Sequence, residues 1–277
     1  MSLTLLAGCS ALRLSYNQGP TLAWFWLDGY ADFNREQAPA VKGALADWFT
    51  WHRASQLPDY AQLLADMQAL AVNKVTPTQV CKVLDAWEDR AERAFEQAVP
   101  ALAEVVRTLT PEQITHIEKR MASKHADWLA DHVQTDLAER QKASYERWLD
   151  QTENMYGRLD DAQRRQLATE LAASSYDAQI HARERQQRQI DIIRALRQWQ
   201  AERADSATVA AGLRRLAATM RHSPRADYRD YAERLMPANC AVVARLHNTT
   251  TTAQRQHAVD RLKGWEEDLR ALAAQAR

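Results

Sequence analysis

Glycine and proline are scarce in this chain, 7 and 8 residues of 277. Little material exists for tight turns, which argues against many short strands and for long uninterrupted helices. A run of about 18 or more apolar residues is also lacking, and this excludes a membrane-spanning helix. Charge of one sign is missing as well. Lys+Arg and Asp+Glu both number 36, so no net field points to nucleic acid or to an anionic surface. There is no nucleophile elbow, glycine-rich phosphate loop, zinc-protease helix signature or Cys-x-x-Cys. No catalytic residue, cofactor-binding residue or metal ligand is therefore assigned, and an enzyme with an unrecognised site ranks last among the readings.

What the chain does contain favours helix. Ala, Leu, Arg, Gln and Glu dominate, and all are strong helix formers. Hydrophobic residues make up 46% and charged residues 26%, an ordinary globular mixture. The expected class is all-α, an elongated bundle of long helices with short capped connections.

The N-terminus carries the most specific signal. Leu3-Thr4-Leu5-Leu6-Ala7-Gly8-Cys9 reads as the end of a signal peptide followed by a lipobox, with Cys9 as the thiol that accepts diacylglycerol. No basic n-region precedes Leu3, so 1–8 reads as a residual signal peptide with that region missing. The true start then lies upstream of Met1, or the leader has been clipped. Residues 9–19 read as a lipidated tether and 20–277 as the helical domain, with a candidate division into two subdomains near 108. Ser10 after the lipidated Cys9 favours transfer to the outer membrane. The expected partners are the lipid bilayer, through acylated Cys9, and an unidentified envelope protein; no nucleic acid is expected.

The other two cysteines, Cys81 and Cys240, have two readings. An oxidising periplasm permits a disulfide closing a long loop; buried free thiols are the alternative.

A helix-start cassette recurs along the chain: an apolar residue, then Asn/Thr/Asp, two residues, then Gln. It appears at Phe33-Asn34-Arg35-Glu36-Gln37, Val75-Thr76-Pro77-Thr78-Gln79, Leu109-Thr110-Pro111-Glu112-Gln113 and Leu159-Asp160-Asp161-Ala162-Gln163. A weaker copy is Thr251-Thr252-Ala253-Gln254. Each predicts a capping box, in which the first side chain accepts the N–H three residues on and the Gln reaches back. Apolar spacing between these starts is helical. It predicts a break or kink at Pro100, one helix of about 40 residues from Pro111 to Gly157, and another from Asp161 towards Trp199.

Several clusters have a bland and a sharp reading. His125 and His132 share a face of one helix, but seven residues is two turns, about 10 Å, too far for one metal ion. Trp24, Phe25, Trp26 and Tyr30 crowd one short segment. They either pack on the bundle beside Trp48 and Trp51, the expected outcome, or meet lipid headgroups. Arg183, Arg185, Arg188, Arg194 and Arg197 are read as solvated surface. The carboxylate pairs Asp127/Asp131 and Glu88/Glu92 are read as ion-pair partners of nearby Arg90, Arg93 and Lys124.

Tyr16-Asn17, the run from Trp26 to Phe33, Trp51-His52-Arg53, Leu57-Pro58-Asp59-Tyr60-Ala61 and the closing Thr252-to-Arg255 and Trp265 segment carry a resemblance. Together they resemble an uncharacterised family of proteobacterial lipoproteins, domain of unknown function 6279. The resemblance implies a helical envelope lipoprotein and brings no activity with it. The Thr-Pro-x-Gln boxes are also similar to the Leu-Thr-x-x-Gln boxes of Spy-type periplasmic chaperones. The favoured function is a non-enzymatic interaction or scaffold protein on the periplasmic face of the outer membrane. An ATP-independent helical chaperone is the alternative.

Overall fold

A computed structural model describes residues 11–134 and 136–275, leaving Cys9 and the lipobox outside the described residues. Those residues form an all-α structure of twelve α-helices with no strand among them. The first four are α1 (Ala11–Asn17), α2 (Gly19–Ala31), α3 (Gln37–Trp51) and α4 (Leu57–Ala71). Next come α5 (Pro77–Arg107), α6 (Pro111–His132), α7 (Leu137–Tyr156) and α8 (Asp161–Ala172). The chain ends with α9 (Ala178–Glu202), α10 (Ser206–Arg221), α11 (Ala226–Thr249) and α12 (Thr252–Ala274). A π-helical turn, His52–Gln56, joins α3 to α4.

Two long expected helices are interrupted, and the cause is the same in both. Asp136 accepts the N–H of Glu139 at 2.9 Å and starts α7, splitting the stretch from Pro111. Asp177 accepts from Gln179 and Ile180 and starts α9, splitting the stretch from Asp161. A single aspartate that satisfies orphan N–H groups suffices to restart a helix without glycine or proline. Pro100 does not break its helix: α5 runs through it for 31 residues.

All five cassettes form capping boxes, and four of them go on to pair across the fold. Gln37 and Gln113 exchange amide hydrogen bonds, Gln37 Nε2 donating to Gln113 Oε1 at 3.1 Å and Gln113 Nε2 to Gln37 Oε1 at 2.7 Å. The second N–H of each goes to a carbonyl just ahead of the other helix: Gln37 to Thr108 at 2.8 Å, Gln113 to Asp32 at 2.9 Å. Gln163 and Gln254 repeat this geometry. They exchange bonds of 2.8 and 2.9 Å, and they reach Thr249 and Arg158 carbonyls at 3.0 and 2.9 Å. Two pairs of helix starts, α3 with α6 and α8 with α12, are thus welded by one glutamine pair each. Both amides are fully used, which is what permits their burial.

Three apolar clusters hold the helices. The first draws Ala31, Ala103, Ile114, Ile117, Ile193, Trp199 and Leu213 from α2, α5, α6, α9 and α10. It therefore crosses residue 108 in both directions. At Gly212 a Cβ would lie 2.1 Å from Trp199 Cζ2, so only glycine lets α10 meet that indole. The second cluster joins Leu64 and Ala71 of α4 to Leu262 of α12, and the third joins Leu159, Leu167 and Leu246. Cys81 of α5 and Cys240 of α11 are disulfide-bonded across a sequence separation of 159.

Candidate functional site

Tyr16, Asn17, His52, Arg53 and Gln275 converge at α1, the first described helix. Tyr16 donates its hydroxyl towards His52 Nδ1 at 2.8 Å. Asn17 Oδ1 accepts from Arg53 at 2.8 Å, and the same guanidinium reaches Gln275 Oε1 at 2.8 Å. Its carbon also lies 5.1 Å from the Tyr16 ring centroid. Two adjacent residues of α1 are thus gripped by two adjacent residues of the π-helical turn. The extra residue of a π turn rotates neighbouring side chains relative to the α-helix before it, and this turn presents His52 and Arg53 to α1 together. Arg13 adds an ion pair with Asp268 of α12 at 3.0 Å.

Packing reinforces the grip. His52 stacks on Trp48 at 4.6 Å and lies 5.6 Å from Tyr60, which leads on to Trp87 at 5.3 Å. Phe49 meets Tyr16 edge-on at 5.6 Å and presses on Gly19, where a Cβ would come within 2.3 Å of its ring. Burial pushes the His52 pKa down to about 4 and the Tyr16 hydroxyl up to about 12. The pair is therefore neutral at pH 7, with the phenol donating to an unprotonated imidazole nitrogen.

The segment expected to be a tether, 9–19, is helical from Ala11, and α1 continues almost directly into α2. Gln18 N–H donates to the Leu14 carbonyl and Leu22 N–H to the Gln18 carbonyl, at 3.2 and 2.9 Å. The aromatic crowd on α2 divides. Trp24 stacks on Phe33 at 5.8 Å beneath Lys42, as packing on the body requires. Phe25 and Trp26 instead remain 66% and 63% exposed, a correction to the expected packing. Spacing at i and i+1 places them one position past the buried edge, so the bundle cannot cover both sides of α2.

A second candidate is an open cleft of about 1080 Å³ between α7, α8, the start of α9 and α11. Its walls include His132, Arg147, Tyr145, Trp148, Tyr176 and Asn239. Behind it His181 is bonded to Tyr228 at 3.1 Å and packed by Tyr176 and Tyr231. Desolvation lowers the His181 pKa, Arg188 nearby adding to the effect. A mixed aromatic and basic wall of this kind suits a peptide segment or an anionic group.

The remaining residues singled out by sequence are placed as follows. His125 and His132 lie on either side of Trp128, with ring centroids at 6.5 and 4.5 Å, and stack on it rather than facing each other. Among the described residues no His/Cys/Asp/Glu group is arranged to hold a metal ion. The arginines of α9 are not uniformly solvated. Glu184 is buried and bridges Arg188 at 2.8 Å and Arg225 at 2.5 Å, while Arg197 reaches Glu118 and Arg194 reaches Asp191. Glu88 and Glu92 pair with Arg221 of α10, whereas Arg90 and Arg93 turn to Asp59. Lys124 pairs with Asp127 at 2.8 Å. Sequence reasoning missed the Tyr–His pairs entirely, since their members lie 36 to 91 residues apart. Only the adjacency of Tyr16-Asn17 and of His52-Arg53 offered a signal.

A family model described as a family of unknown function (DUF6279) matches residues 29–236, more than half of the chain. The chain belongs to this family. Within the DUF6279 match lie the π-helical turn, the first glutamine pair, Cys81 of the disulfide, the cleft walls of α7 and α8, and α11 only as far as Met236. Tyr16, Asn17, Cys240 and α12 fall outside it. No curated protein and no solved structure matches the chain.

Proposed function

We propose that this DUF6279 member is an exported envelope lipoprotein, acylated at Cys9, whose helical body is mounted rigidly on that anchor and offers interaction surfaces on the periplasmic face of the outer membrane. The observation that carries the reading is the grip of His52 and Arg53 on Tyr16 and Asn17. A body free to swing on its lipid would need no such lock so near the anchor point. The lock gives α1 one orientation, and with it every surface of the bundle. The lipobox spacing supports acylation, and the Cys81–Cys240 bond supports an oxidising compartment. The cleft between α7, α8, α9 and α11 is the surface offered to an envelope protein partner.

The test is metabolic fatty-acid labelling of the chain behind a complete signal peptide. Cys9→Ser should abolish the label and release the protein from the membrane fraction; undiminished labelling overturns the proposal. The chaperone alternative draws on one feature, the Leu109-Thr110-Pro111-Glu112-Gln113 box and its copies. In four of the five, the glutamine amide is spent on joining helices. Suppression of aggregation of a model client without ATP would favour that alternative, and no effect at several-fold excess would remove it.

A further inference from the structure

We infer that the outward face of α1 and α2 lies in the headgroup region of the bilayer, so that the protein stands on the membrane by a protein surface as well as by an acyl anchor. The inference rests on Cys9 being the membrane anchor, and on nothing else about function.

Most exposed positions of α1 and α2 recur at helical spacing: Ala11, Leu14, Ser15, Gln18, Thr21, Leu22, Phe25, Trp26 and Gly29, with Leu12 and Asn17 exposed beside them. None carries a charge. Leu14 is 61% exposed and Leu22 55%; Leu22, Phe25 and Trp26 stand at i, i+3 and i+4 as one set of large apolar groups, with Leu14 two turns earlier across the uncharged Gln18. Contrast the outward side of α5, where Glu88, Asp89, Glu92 and Glu96 face arginines of α10. Water is the natural neighbour of that side and a costly one for the α1–α2 stripe.

The occupant follows from the chain itself. Between Cys9 and Ala11 the backbone can span at most about 7 Å. An acylated Cys9 is at the membrane surface, so α1 begins there too. Because α1 is locked to the π-helical turn, it cannot be pulled clear without breaking the Tyr16–His52 and Asn17–Arg53 bonds. Side chains on the stripe have the chemistry of the interfacial zone: an indole, a phenyl and two leucines, flanked by cations. Lys42 sits 4.5 Å over Trp24 and Arg120 lies 5.9 Å from Tyr30, both exposed beside the stripe where phosphates would be.

The full oxidised chain allows a test that does not depend on natural acylation. Of its three cysteines, Cys81 and Cys240 are bonded to each other. Cys9 can therefore be coupled to maleimide-headgroup lipid in phosphatidylethanolamine/phosphatidylglycerol vesicles. The emission of Trp26 is taken as the difference between the wild type and Trp26→Phe. Bilayers of brominated lipid should quench it by about half or more, and aqueous iodide should lose most of its access. A Leu22→Glu/Phe25→Glu variant should restore iodide access and abolish the lipid quenching. Both positions are exposed, and an unchanged thermal melt shows that the fold is intact. If Trp26 stays open to iodide and is not quenched by brominated lipid, the inference is overturned. Self-association through the same residues, seen by sedimentation and unchanged by vesicles, overturns it equally. An unmodified Cys9 thiol in protein from cells would sink the acylation proposal and this inference with it, whereas a negative vesicle result with Cys9 acylated in cells overturns this inference alone.

Discussion

The Gln37–Gln113 joint and the Gln163–Gln254 joint use the same four kinds of hydrogen bond, yet their surroundings differ. In the first, both glutamines are buried at 7% exposure, under Phe33 and Leu109, the apolar residues that precede the caps. In the second, Gln163 is buried but Gln254 is only half-buried, and Thr250 stands where an apolar residue precedes the other caps. The fifth box, at Thr76 and Gln79, has no glutamine partner. There α11 supplies the connection instead, through Asn248, which exchanges two 2.9 Å bonds with the Val75 backbone, and through the Cys81–Cys240 bond one turn further on. The lesson is that a capping box starts a helix by itself, but a second, separate contact fixes where that start sits. Glutamine pairs do this twice and a disulfide with an asparagine clamp does it once.

Removing the covalent version should have the largest effect. The loop closed by Cys81 and Cys240 is long, and the chain-entropy relation assigns such a crosslink about 5 kcal/mol. We expect Cys81→Ser/Cys240→Ser to lose stability on that order in urea unfolding, and reductant to reproduce the loss in the wild type. A loss below about 1 kcal/mol would mean that Asn248 and packing hold α5 unaided. Gln113→Ala comes next, at about 3 kcal/mol, because it strands the Gln37 amide, the Asp32 carbonyl and the Thr110 N–H in a buried place.

Acid should separate the two joints. His247 is buried beside the second, where its Nε2 lies 2.7 Å from the Asn73 carbonyl and must donate, leaving Nδ1 to accept from Tyr156 at 2.9 Å. Burial lowers its pKa, as it does for His52 and His181. A histidine depressed in the folded state binds its proton more readily when unfolded. Its contribution is therefore complete above the ordinary value near 6.5 and lost as pH falls through the folded one. For His52 that window runs down to about 4. The melting temperature should decline steadily from pH 7 to pH 5, by stability on the order of 1–3 kcal/mol. Amide exchange at α8 and α12 should rise earlier than at α3 and α6, whose joint has no histidine among its hydrogen-bonding residues. A flat profile would show that the three imidazoles are hydrated.

Helix class and helix starts could be read directly from residues, because they depend on contacts three residues apart. Thr110 and Gln113 announce their box by spacing alone, and so do Asp160 and Gln163. Asp136 and Asp177 cap helices too, but neither is followed at the third position by a glutamine, and the apolar period runs on past both, so those restarts were invisible. Pro100 does not end α5, since the turns on either side of it continue the helix. Pairing of glutamines 76 and 91 residues apart leaves no local trace. The same holds for the Tyr16–His52 lock, and for the exposure of Phe25 and Trp26, which is set by which side of α2 the rest of the bundle reaches.

The smallest effects give the finest test of the comparison. Gln254→Ala removes the same four bonds as Gln113→Ala, but at a half-buried site where water can replace part of them. A cost of about 1–2 kcal/mol is expected. Gln79→Ala removes the reach back to the Thr76 N–H at 2.8 Å and to the Thr76 hydroxyl at 3.1 Å, both exposed. The Thr76 hydroxyl still accepts from the Gln79 backbone, so about 0.5 kcal/mol is expected, the low end for a lost cap. The ranking Gln113, Gln254, Gln79 is what matters, measured in one urea series on otherwise wild-type protein. Should Gln79→Ala cost as much as Gln254→Ala, the cross-pairing would add nothing to a box, and the glutamines would be ordinary caps that happen to meet.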